Sequence, residues 1–271
     1  MSLDEITHVD ACGDTLCKTG TQSLTRGIDL MKMIATRPQF GWRLSDLAAA
    51  CNQPRATVHR MLTCLVEQRL VSQRDGDRHY LPGPLMFELG LALPEYAGFQ
   101  QAAHTLVKSF ARRMAGIALF QLRSGNDYVC SLRAGSVSLT GLMVTVGTRR
   151  PLFTSAGGVA ILQTLPDEEV RQILLHNVAH EIERHGTGRL AALQKMRERS
   201  NRHGFGVNFG DVVKGSYAFG APVRDSAGKA FGALLLIGTE ELYPPDRLEE
   251  LRGELMAQAA LLEEEARRFG V

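Results

Sequence analysis

Three features of the 271-residue sequence predict an α+β chain in two parts. The N-terminal part shows three stretches of helical apolar spacing followed by a short hairpin pattern. The C-terminal part alternates strand-like runs with blocks of helix, as expected for helices packed on a mainly antiparallel sheet. A nearly all-apolar stretch, residues 85–93, separates the two. The expected organisation is a disordered tail over 1–20, a helix-turn-helix with a hairpin wing over 21–84, a linker helix over 85–97 and a larger α+β domain over 98–271.

Residues 1–20 have no apolar period. Leu24, Ile28, Met31 and Ile34 then recur at helical spacing. After the loop RPQFGW, Ser45 reads as the N-cap of a short helix over 46–51, with Leu47, Ala48 and Cys51 on its apolar side. Asn52-Gln53-Pro54 ends it, because Asn tolerates the left-handed conformation and Pro suits the start of a new helix. That helix spans 55–68, with Val58, Met61, Leu62 and Leu65 on one face. The runs LVSQR and RHYL, joined by Asp75-Gly76-Asp77, read as a hairpin, and Pro82 and Pro84 close the unit.

In the second part the pattern predicts helices over 99–114, 156–164, 167–176, 189–202 and 245–269. It predicts strands over 117–122, 127–133, 139–146, 206–209, 217–223 and 229–237. The last helix carries Leu248, Leu251, Leu255, Ala259, Leu262, Ala266 and Phe269 in register.

The net charge of +2 does not by itself announce a nucleic-acid binder. Its distribution does. Residues 20–84 carry nine Lys or Arg against five Asp or Glu, whereas residues 1–19 carry Lys18 against four acids. No apolar run approaches the roughly 18 residues of a membrane span, and no leader pattern is visible, so a cytoplasmic location is expected. The five cysteines, at positions 12, 17, 51, 64 and 130, form no CxxC pair and read as free thiols. His176, His180, Glu181 and His185 lack the spacing of a metalloprotease helix and read as a surface helix end, so no metal or cofactor is expected. Without a nucleophile elbow, phosphate loop or dinucleotide fingerprint, no enzyme is expected.

The 55–68 helix fits a recognition helix. Opposite its apolar face lie Ala56, His59, Arg60 and Thr63, with Arg55 and Thr57 at its tip. Small groups allow close approach to the major groove, an Arg can fork onto guanine, and methyl groups can touch thymine. Arg74 and Arg78 flank the hairpin turn, where a wing meets phosphate. Further on, Ser155-Ala156-Gly157-Gly158 leads a loop into a helix. Unpaired amides there suit a carboxylate, and an ordinary capped helix with glycines for packing fits equally well.

The run LSDLAAACNQPRATVHRMLTCLVEQRLVSQ, followed by a hairpin and YLPGP, resembles the winged helix-turn-helix of the isocitrate lyase regulator (IclR) family. GTRRPLFTSAGGVAIL and GFGVNFGDVVKGSYAFGAPVRDSAGKAFGALLLIG are similar to two segments of that family's second domain. The resemblance covers about residues 22–265. It implies a GAF-like effector domain, a homodimer or homotetramer, and binding of near-palindromic operator DNA; RNA polymerase is a further expected partner. It also implies effector contacts at Ser155, Ala156, Gly157 and Gly158, and at four positions where this sequence departs from the common residues. Asn208 replaces an acid, Ala218 a cysteine, and Leu235 and Ile237 two serines; Asp211 stands where glutamate is usual. These changes make the pocket more apolar and favour a bulkier, partly apolar carboxylic acid, aromatic or long-chain, from a catabolic pathway over a small hydroxy or keto acid. The alternative reading is a small-molecule-binding module or enzyme without a DNA function.

Overall fold

A computed structural model describes residues 21–139 and 141–271. The expected tail over 1–20 lies outside the described residues. Two compact units divide between residues 94 and 95.

The first unit contains α1 (Gln22–Ile34), α2 (Leu44–Ala50), α3 (Arg55–Glu67), β1 (Val71–Gln73), β2 (Tyr80–Pro82) and α4 (Pro84–Gly90). Its core gathers Leu30 and Ile34 of α1, Leu47 of α2, Val58 and Leu62 of α3, Val71, Trp42 and Tyr80. The expected apolar faces of α1 and α3 are thus the buried ones, except that Leu24 and Ile28 stay exposed. Asn52 adopts the left-handed conformation at φ 47°, as its position between α2 and α3 requires. One expectation needs correction. Ser45 does not cap α2: the helix starts two residues earlier, after Arg43, and the Ser45 hydroxyl bonds Asp46 instead. The expected hairpin forms, with a turn somewhat longer than Asp75-Gly76-Asp77. β1 and β2 pair only over Val71–Pro82, Ser72–Leu81 and Gln73–Tyr80, and the left-handed residue is Arg78 at φ 59°. Asp77 governs this longer turn by accepting from Arg74 and from the amide of His79. Trp42 exchanges both backbone hydrogen bonds with Tyr80, giving the wing a third strand-like partner.

The second unit contains α5 (Pro94–Met114), β3 (Ile117–Ser124), β4 (Asp127–Ala134), β5 (Arg149–Pro151), α6 (Ala156–Leu162), α7 (Asp167–His185), α8 (Leu190–His203), β6 (Gly206–Phe209), β7 (Tyr217–Arg224), β8 (Ala230–Gly238) and α9 (Leu248–Phe269). Its six strands form one antiparallel sheet in the order β5-β4-β3-β8-β7-β6. One face packs against α5 and α9 through Phe99, Phe110, Phe120, Leu234, Leu236, Leu251 and Leu255. The other face meets α6, α7 and α8. Covering on both faces explains why Phe231–Ile237 reads as a continuous apolar run rather than an alternation.

The strand expected over 139–146 is absent. Gly141 and Gly147 take φ of 84° and 87°, and only Gly147 and Thr148 bond the edge of β4, through Cys130. Leu139, Leu142 and Val144 instead lie over the sheet as a cover, with Val144 buried, while Met143 and Val146 are exposed. The edge strand is β5, which the sequence pattern did not mark. α7 also continues nine residues beyond its expected end at His176, with Asn177, Val178 and Glu181 buried along it.

Candidate nucleic-acid interface and effector site

On α3, burying Val58 and Leu62 turns the opposite face outward. Arg55, Ala56, His59, Arg60 and Thr63 are exposed, and Thr57 is half-buried. The Thr63 hydroxyl donates back to the carbonyl of His59 at 3.0 Å. The side chains of Arg55, His59 and Arg60 make no hydrogen bond or ion pair among the described residues. The two wing residues differ. Arg78 is exposed. Arg74 is held by Asp77 at 2.7 Å and by the carbonyl of Phe40 at 3.0 Å, so its guanidinium also fixes the wing. That pairing holds the Asp77 carboxyl well below the usual carboxylate range.

In the second unit the structure gathers four of the expected effector residues. Ala156, Ala218, Leu235 and Ile237 share one apolar cluster with Ile117, Leu119, Cys130 and Val144. Val137, Leu139 and Leu142 pack over it from the covering segment. Gly157 and Gly158 are needed for close packing. A Cβ on Gly158 would lie 1.9 Å from the Leu152 carbonyl, and one on Gly157 would lie 2.3 Å from Gln121 Oε1.

Two polar candidates prove to be engaged by the fold itself. The Gly158 amide, expected to be unpaired, donates to Ser155 Oγ at 2.9 Å, so Ser155 is a true N-cap. Asn208 does not present an open amide. Its Nδ2 donates to Ser216 O at 2.9 Å, and its Oδ1 accepts from the amides of Asp211 and Val212. It organises the 209–216 loop. Asp211 in turn pairs with Arg199 of α8, both largely buried.

Sequence reasoning missed Gln121, Cys130 and Tyr128. Gln121 is a buried polar residue at the alternate position of β3, after Ile117 and Leu119. That interruption of an apolar strand was its visible signal. Cys130 reaches the face of the apolar cluster through a bulge: Phe120 pairs with Leu132, but the next residue, Gln121, pairs with Cys130. Leu132 therefore faces α5 and α9 while Cys130 faces the apolar cluster. Burial pushes the Cys130 thiol up to about 11 and the Tyr128 hydroxyl, beside Ser155 and Thr154, up to about 12. On the opposite side of the sheet a separate cavity of about 630 Å³ opens between α5 and Gly135–Ser136, lined by His104, Lys108 and Arg112. Among the described residues no group of His, Cys, Asp or Glu could hold a metal ion. No described helix is long and apolar enough to cross a membrane.

The IclR helix-turn-helix domain model matches residues 23–75. The bacterial transcriptional regulator IclR C-terminal model matches residues 97–263. The chain belongs to the IclR family of bacterial transcription regulators. It is 24% identical over 243 residues to the HTH-type transcriptional regulator KipR of Bacillus subtilis, covering 89% of this chain and 94% of KipR. Among solved structures it is similar to an IclR family transcriptional regulator from Brucella abortus, with a TM-score of 0.72 at 17% identity over 96% of this chain and 97% of that one. It is also similar to an IclR homologue from Microbacterium hydrocarbonoxydans complexed with 4-hydroxybenzoate, with a TM-score of 0.63 at 18% identity over 90% and 98% of the two chains. Membership makes this IclR-family chain a regulator of transcription with a DNA-binding domain and not an enzyme.

Proposed function

We propose that this IclR-family regulator binds a near-palindromic operator as a dimer, with α3 in the major groove, and responds to an aromatic carboxylic acid from a catabolic pathway. The observation that carries the DNA half is the division of α3, with Val58 and Leu62 buried and Arg55, His59 and Arg60 outward and unengaged. Arg55, Ala56, Thr57, His59, Arg60 and Thr63 form the base-facing surface, and Arg78 with the outer edge of Arg74 meets phosphate. The dimer rests on α4 and the residues after it, where Phe87, Leu89, Leu91 and Leu93 are all exposed, Phe87 by 72%. The effector half rests on the apolar wall of Ala156, Ala218, Leu235 and Ile237. The 4-hydroxybenzoate complex of a related fold supports an aromatic acid as the class.

Two measurements test the reading. A salt-controlled gel shift with the DNA upstream of the regulator's own gene should give a specific complex, and Arg60→Ala should weaken it by about 1–3 kcal/mol. Unchanged affinity at matched salt would show that this face of α3 does not read bases. Isothermal titration of the full chain should give binding of benzoate or 4-hydroxybenzoate in preference to pyruvate or glyoxylate, since each additional buried CH₂ contributes about 0.8 kcal/mol. A preference for the small acids would overturn the apolar pocket.

A further inference from the structure

Resting on the effector reading above, we infer that Gln121 is the hydrogen-bond donor that orients the acid in this chain's pocket. The starting point is what the fold has already taken. Ser155 caps α6, Asn208 commits its oxygen and one Nδ2 proton to its own loop, and the side chains of Leu235, Ile237 and Ala218 offer no polar atom. Arg150, across the β4–β5 pairing from Tyr128, donates to the Met143 carbonyl at 2.7 Å and so holds the covering segment.

Gln121 remains. Its side chain is 1% exposed, and its Oε1 accepts from Ser155 Oγ at 3.2 Å. The cap itself sets this orientation. Ser155 Oγ accepts from the Gly158 amide and passes its own single proton to Gln121. The Gln121 Nε2 group, with two N–H donors, is then turned away from Ser155 and has no partner among the described residues. The residue is 1% exposed, so bulk water does not readily serve this donor. A buried amide donor left unpaired is disfavoured and calls for a ligand or ordered water.

Its position suits the task. Gln121 lies on β3 two residues beyond Leu119, directly across from Cys130 on one side and Ala233 on the other. A Cβ on Gly157 would meet both Gln121 Oε1 and Leu235 Cδ1, so Gly157 brings the amide and the apolar wall together. The donor and the apolar surface then match the two ends of an aromatic acid: Nε2 to a carboxylate oxygen, the ring against Leu119, Leu235 and Ile237. Being neutral, the amide accepts an acid without an uncompensated charge on the protein in the ligand-free state.

The test compares the full-length native chain with Gln121→Glu and Gln121→Met by isothermal titration of benzoate, 4-hydroxybenzoate and benzamide. Glu keeps the acceptor for Ser155 but replaces the donor with an oxygen. Met keeps the length and removes both. Benzoate affinity is expected to fall at least tenfold in both variants. Benzamide, which donates, is expected to gain relative to benzoate in Gln121→Glu alone. Thermal unfolding without ligand checks that the variants fold, and the Glu variant, with its cap intact, carries the test if Met does not. Native-like benzoate affinity in a folded variant overturns the role of Gln121 and leaves the pocket standing. Failure of the native chain to bind any of the three probes overturns the pocket reading and this assignment with it.

Discussion

Arg60 on α3 and Asn208 on β6 are both polar candidates for ligand contact, yet folding treats them oppositely. Arg60 lies on the outer face of a helix whose inner face supplies the core, and nothing in the described chain engages its guanidinium. Asn208 is 3% exposed, and both ends of its amide serve the backbone of its own loop. The same contrast separates the two units. In the smaller one the core is built from local helix faces, and the functional groups are what remains outside. In the larger one the apolar cluster with the expected effector residues is enclosed by the sheet, α6 and the covering segment, so a polar group there must satisfy the fold before it could serve a ligand. A polar residue on an outward helix face is therefore good evidence of a contact surface, and a buried one is evidence only after its partners are counted.

Three further experiments sharpen this contrast. The largest effect is expected at the buried pair of Arg199 and Asp211. Arg199→Leu leaves the Asp211 carboxylate enclosed with only the Phe209 amide, a loss of about 3–5 kcal/mol in urea unfolding of the second unit. A loss below about 1 kcal/mol would show that Asp211 is readily rehydrated and that the 209–216 loop is not anchored to α8. Next in size, Asn208→Ala orphans the amides of Asp211 and Val212 and should destabilise by about 1–3 kcal/mol. His59→Ala on the outer face of α3 should stay within about 0.5 kcal/mol. Equal effects from the two substitutions would erase the distinction between engaged and unengaged polar groups.

A further small effect concerns pH. Burial, with Arg184 and His176 nearby, lowers the pKa of His180 despite the opposing Asp127 and Glu183. The folded chain then binds fewer protons at this site than the unfolded chain near pH 6. Its contribution to stability is complete above about pH 6.5 and declines as the pH falls below it. His180→Gln should flatten that decline by under about 1 kcal/mol, read from unfolding midpoints between pH 5 and 7.5. A pH profile identical in the variant would place the titration elsewhere.

Much of the fold was legible in the chain. Helical spacing in Val58, Met61, Leu62 and Leu65 marked both the buried and the outward face of α3, because one solvent boundary sorts a helix into two sides. Asn52 announced its own left-handed turn. The strands β3, β4, β6, β7 and β8 and the helices around them were visible through length and apolar content. The residues over 139–146 were misleading: their composition suits a strand, but glycines at 141 and 147 turn the backbone, and Leu139, Leu142 and Val144 are used as a cover.

The sequence by itself determined the family, most of the order of the elements and the outward face of α3, since each depends on local spacing or on motifs contiguous in the chain. Only the tertiary structure decided which polar groups are already satisfied. The capping of Gly158 by Ser155, the bulge that turns Cys130 across from Gln121, and the closure of Asn208 on its own loop all depend on geometry that composition does not encode. The bulge joins two strands, and a hydrogen bond forms or fails on a few tenths of an ångström. Helical periodicity survives such differences; the availability of a buried amide does not.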